Sequence, residues 1–91
     1  MKRVLIKVSG KVQGVGFRRT TLQKAQQLGL TGYVSNLPTG QVEILAQGSF
    51  PAVDQLVSWC QHGVGLAQVS DVWVEEDEAD EIYLDFSIVQ S

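Results

Sequence analysis

The chain contains a single cysteine, Cys60, among its 91 residues. That excludes an internal disulfide and any Cys-x-x-Cys metal or redox site, and the expected compartment is the cytoplasm. No apolar run approaches the roughly 20 residues of a membrane-spanning helix. The N-terminal stretch Met1-Lys2-Arg3-Val4-Leu5-Ile6-Lys7 carries basic residues but neither the long apolar core nor the small-residue cleavage site of a signal peptide. No membrane partner is expected. Positive charge is scarce: seven Lys and Arg against ten Asp and Glu leave a net charge of −3, which argues against a nucleic-acid partner, since that calls for a basic face. No Gly-Lys-Ser or Gly-Lys-Thr occurs, so there is no Walker phosphate loop. The dinucleotide fingerprint Gly-x-Gly-x-x-Gly would start at Gly14-x-Gly16, but Arg19 stands where its last glycine belongs. The chain is also too short for a nucleotide domain plus a substrate domain. Linkers, repeats and low-complexity segments are missing. With 44% hydrophobic and 19% charged residues, one globular domain over residues 1–91 is expected.

The patterning that is present describes an α+β chain. Val4, Ile6 and Val8 alternate with Leu5, Lys7 and Ser9, a strand with one face in a core. Phe17, Thr21, Ala25 and Leu28 recur at helical spacing, and Gly29 follows as a C-terminal cap. Residues 32–36 and 41–47 read as strands around the turn Leu37-Pro38-Thr39-Gly40. Phe50-Pro51 opens a second helix with Val53, Leu56, Val57 and Cys60 on one face, ahead of Gly63 and Gly65. Residues 68–75 and 82–89 are two more strands, joined by an acidic run expected to be a solvated hairpin loop. Periodicity alone yields the α+β class.

Between the first strand and the first helix lies Ser9-Gly10-Lys11-Val12-Gln13-Gly14-Val15-Gly16-Phe17-Arg18. Glycines free this backbone to curl and point successive N–H groups inward. A helix N-terminus adds partial positive charge and Arg18 adds a full one, so the segment is an anion site, most naturally for phosphate. Arg19 falls about 100° further round the helix and is expected to be a surface charge. Gln13 is either a ligand-binding or a loop-bracing amide. Asn36, at the end of the second strand, is either a turn former before Leu37-Pro38 or part of the site. Cys60 reads as a buried apolar residue, His62 as a cap on helix carbonyls, and Trp59 and Trp73 as packing or surface aromatics. The acidic run from Glu75 to Glu81 lacks the spacing of a calcium loop, and no metal is expected.

Gly10-x-Val12-Gln13-Gly14-Val15-x-Phe17-Arg18, followed by Gly32-Tyr33-Val34-x-Asn36, resembles the signature of the acylphosphatase family. The resemblance runs from the strand before Gly10 to Phe86-Ser87-Ile88. Family members often carry an arginine shortly after that final pair, where this chain has Val89 and Gln90. The resemblance implies a ferredoxin-like βαββαβ sandwich: one antiparallel sheet, two helices on one face, and an extra C-terminal strand. It implies hydrolysis of small acyl phosphates without cofactor. The backbone of Lys11, Val12, Gln13, Gly14 and Val15, together with Arg18, would hold the phosphate, and Asn36 would position the water. Inorganic phosphate is the expected product and inhibitor, and a monomer is expected. The other class left open is a regulatory module that binds the anion without turnover, which one hydrolysis assay separates from an enzyme. An RNA-recognition domain would need aromatics on its first and third strands, which contain none.

Overall fold

The computed structural model describes residues 1–62, 65–78 and 81–89. Its elements run β1 (Lys2–Lys11), α1 (Phe17–Gln27), β2 (Thr31–Asn36), β3 (Val42–Gly48), α2 (Phe50–Gln61), β4 (Gln68–Glu76) and β5 (Phe86–Val89). The five strands form one sheet in the order β4-β1-β3-β2-β5. Neighbours within the first four are antiparallel. This is the ferredoxin-like arrangement with an added fifth strand. That strand pairs parallel with β2, so the sheet is mixed and not wholly antiparallel.

Alternation sorts the sheet into two faces. Val4, Ile6 and Val8 of β1, Val34 of β2, and Val42, Ile44 and Ala46 of β3 share one buried cluster with Phe17 and Ala25 of α1 and Val53, Leu56 and Cys60 of α2. Both helices therefore cover the same face. Phe17 stacks on Trp59 at 5.8 Å between ring centroids and joins the two helices. Thr21 lies on the buried stripe of α1 without cost, because its hydroxyl donates to the Phe17 carbonyl at 2.7 Å. The helix ends as expected. Gly29 has φ 71, its N–H donates to Gln26 and the N–H of Leu30 to Ala25, a Schellman closure. Ser49 caps α2 by accepting from the Ala52 amide.

The opposite face was not legible beforehand. The segment after β4 is no hairpin: β4 and β5 are the two edges of the sheet, so their connection must cross it. Arg3, on the face away from the helices, meets Asp77 at 2.9 Å and Glu81 at 3.8 Å. It also donates to the Glu81 carbonyl and lies over the Tyr83 ring at 5.4 Å. Tyr83 in turn leans on Tyr33, whose hydroxyl donates to Glu43 at 2.7 Å. The acidic run, expected to be solvated, thus supplies the partners of an arginine whose side chain is 8% exposed. Ala79 and Asp80 of that run, Gly63 and Gln90 lie outside the described residues. The last strand begins at Phe86 and not at residue 82, because the preceding residues form this crossing.

Candidate active site

The loop between β1 and α1 has two glycines in the left-handed region, Gly14 at φ 73 and Gly16 at φ 78. A Cβ at either would meet nothing within 4 Å. These glycines are there for backbone conformation and not for room. Gly16 is the N-terminal cap of α1 and offers no side-chain acceptor to the helix amides. Among the described residues, the N–H groups of Gln13, Gly14, Val15 and Gly16 have no protein acceptor. Open amides at a helix N-terminus are what an anion requires. Gly10 is different. It lies within β1 at a bulge after Ser9, with φ 122, and a Cβ there would fall 2.2 Å from the Gln68 carbonyl oxygen.

Gln13 is the brace. Its side-chain amide donates to the carbonyls of Leu37 and Gln41, each at 2.9 Å. These two residues close the turn after β2, with the Leu37 N–H donating to Gln41 at 2.8 Å. The Gln41 amide reaches back to the Ser9 hydroxyl at 2.9 Å. The loop is therefore tied to the residue that directly follows Asn36. Alternation along β2 puts Asn36 on the same face as Val34, the helix side.

A cleft of about 280 Å³ lies where these pieces meet, lined by Val12, Gly14, Gly16, Phe17, Arg18, Arg19, Asn36 and Ile88. It brings together Arg18 and Asn36, residues of the two sequence motifs. Of the expected phosphate-holding residues, Val12, Gly14 and Arg18 line it. Lys11 is the last residue of β1, opposite Gln68, and is exposed. Lys11, Gln13 and Val15 do not line the cleft. Two lining residues were not anticipated. Arg19, expected as a surface charge, is exposed but borders the cleft. Ile88 arrives from β5, whose pairing of Ile88 with Val34 sets it beside Asn36. Parity with Phe86 signals that Ile88 faces the helices, but its neighbour β2 is a long-range choice.

Among the described residues that line the cleft there is no Asp, Glu, His or Cys. Cys60 is buried in α2's core face, and burial pushes its thiol up to about 12, which makes a poor nucleophile. His62 has Nδ1 2.7 Å from the Ser58 carbonyl oxygen, a capping position. A second cleft of about 260 Å³, beside Gln61 and Val69, has no comparable set of amides and guanidinium groups.

The acylphosphatase family model matches residues 4–88. The acylphosphatase of Shewanella amazonensis is 63% identical over 91 residues, covering 100% of both chains. That of Shewanella oneidensis is 64% identical over 90 residues, covering 99% of this chain and 100% of its own. Among solved structures, an acylphosphatase from Bacillus subtilis superposes with a TM-score of 0.93 at 39% identity, covering 98% of this chain and 99% of that one.

Proposed function

The chain belongs to the acylphosphatase family, and from that premise we propose how its own residues carry out the reaction. It is an acylphosphatase, which hydrolyses acyl phosphates to a carboxylate and inorganic phosphate. The loop amides around Gly14, from Val12 and Gln13 through Val15 and Gly16, hold the phosphate oxygens together with the N-terminus of α1. Arg18 forks two of those oxygens and follows their charge into the transition state. Asn36 holds the attacking water in line with phosphorus. An amide cannot remove the proton at neutral pH, so Asn36 acts by placement. Water oxygen bonds to phosphorus, the bond from phosphorus to the carboxyl oxygen breaks, and its electron pair leaves on the carboxylate. The water proton passes to a phosphate oxygen of the substrate. A carboxylate is a good leaving group, and positioning with electrostatics is the help the step needs.

The observation that carries this reading is the single cleft shared by Arg18, Asn36 and Gly14. Among the described residues its lining offers no carboxylate, imidazole or thiol, which supports a direct attack by water without metal or phosphoenzyme. We further take residues 1–91 as one domain acting as a monomer in the cytoplasm. One shared core and a lone buried cysteine support this. Among the described residues no helix is long and apolar enough to cross a membrane. The test is hydrolysis of benzoyl phosphate by purified protein with chelator present. Turnover with competitive inhibition by inorganic phosphate is expected. Phosphate binding without turnover would mark a regulatory module, and loss of activity with chelator would overturn the metal-free step.

A further inference from the structure

Arg18 and Arg19 both line the cleft, yet they point about 100° apart around α1 and cannot both fork one phosphate from the loop side. Among the described residues neither guanidinium has an ion pair or hydrogen bond. The first turn of α1 carries no acidic residue, and none of the described residues that line the cleft is acidic. In a chain of net charge −3, two cations share one cleft with no carboxylate among its described lining residues. The phosphate dianion already has Arg18, the loop amides and the helix terminus. Arg19 stands outside that set, exposed on the border of the same cleft.

We propose that Arg19 is a specificity residue that receives a carboxylate on the acyl part of the substrate, so that acyl phosphates with a distal carboxylate are favoured over those with a neutral tail. This rests on the reading of the cleft as the acyl phosphate site. The contact is a charge-assisted hydrogen bond at a wet border, which sets a modest size. The guanidinium can donate two parallel N–H bonds to a planar carboxylate, as a lysine ammonium cannot.

The experiment compares kcat/KM for 4-carboxybenzoyl phosphate with that for 4-methylbenzoyl phosphate, two rigid substrates of like length that differ in tail charge. In Arg19→Ala the ratio of the two should fall about fivefold to tenfold. In Arg19→Glu it should fall further, and in the parent protein it should shrink as salt is raised. A ratio unmoved by Arg19→Ala and Arg19→Glu would overturn the proposal. An equal loss on both substrates would also overturn it, by placing Arg19 on the phosphate. If the parent protein turned over neither substrate, the failure would lie with the enzymatic reading and not with Arg19.

Discussion

At the scale of single residues, the two motif side chains are proposed to have different tasks, and their loss should read differently. Arg18 is proposed to hold charge that grows toward the transition state. Arg18→Ala should lower kcat/KM by about 10³-fold, roughly 4 kcal/mol, and Arg18→Lys should recover only part, since a point charge lacks the fork. Steady-state kinetics on benzoyl phosphate check this, and full activity in the lysine variant would refute the bidentate role. Asn36 is proposed to hold water and not phosphate. Asn36→Ala should cut kcat by about 10²-fold while the inhibition constant for inorganic phosphate stays close to the parent's. If it only shaped the turn before Leu37-Pro38, the melting point would fall by the equivalent of about 0.5–2 kcal/mol and kcat of the folded fraction would persist. Measuring all three quantities on one variant separates the alternatives.

At the scale of elements, the glycines of the two motifs divide by physical cause. Gly14 and Gly16 serve a curled loop in open space, whereas Gly32 sits within β2 against its neighbour. A Cβ on Gly32 would lie 1.9 Å from the Leu45 carbonyl oxygen, at φ 135. Gly32→Ala must therefore push β2 off β3 and should cost about 3 kcal/mol or more in urea unfolding. Gly14→Ala meets nothing and carries only the left-handed penalty, about 1 kcal/mol, with its main effect on phosphate affinity. Equal destabilisation by the two would contradict this division. The Gln13 brace belongs to the same scale: it makes the loop and the turn after Asn36 one unit, so the proposed phosphate-holding and water-holding halves keep their spacing.

At the scale of the whole molecule, the sheet is buried on both faces by different means. Helices cover one face; the crossing segment held by Arg3, Asp77, Glu81 and Tyr83 covers part of the other. Cys60 and Tyr33 are among the titrating groups that this burial raises. Burial lifts Cys60 from an ordinary 9.0 to about 12. Burial first, and then the hydrogen bond to Glu43, raises Tyr33 above its ordinary 10.0. The folded form keeps both protons longer than the unfolded chain does. Their contribution to stability is thus complete below pH 9 and is lost as pH rises, first through Cys60 and from pH 10 also through Tyr33. For Cys60 stability should fall by up to about 1.4 kcal/mol per pH unit, and for Tyr33, which is part-exposed and screened by solvent, by less. Urea midpoints measured across the alkaline range check this, and Cys60→Ala should flatten the slope between pH 9 and 10 in particular. A slope unaltered by that substitution would dismiss the thiol as its source.

The sequence by itself determined the local chemistry: the alternation of Val4, Ile6 and Val8, the helical stripe of Phe17, Thr21 and Ala25, the Gly29 cap, and the glycine loop running into Arg18. These depend on neighbours in the chain, and strand and helix periods report them directly. The two motif blocks, taken with their family resemblance, also named Arg18 and Asn36. Tertiary structure decided what depends on distant pairing. It set β5 parallel to β2, which brings Ile88 to the cleft, and turned an acidic run into the partner of Arg3. It made Gln13 a brace, because both of its acceptors lie across the turn after β2. It also put Arg19 on the border of the cleft, since a helix period gives the angle between two arginines but not which neighbouring strand stands opposite them.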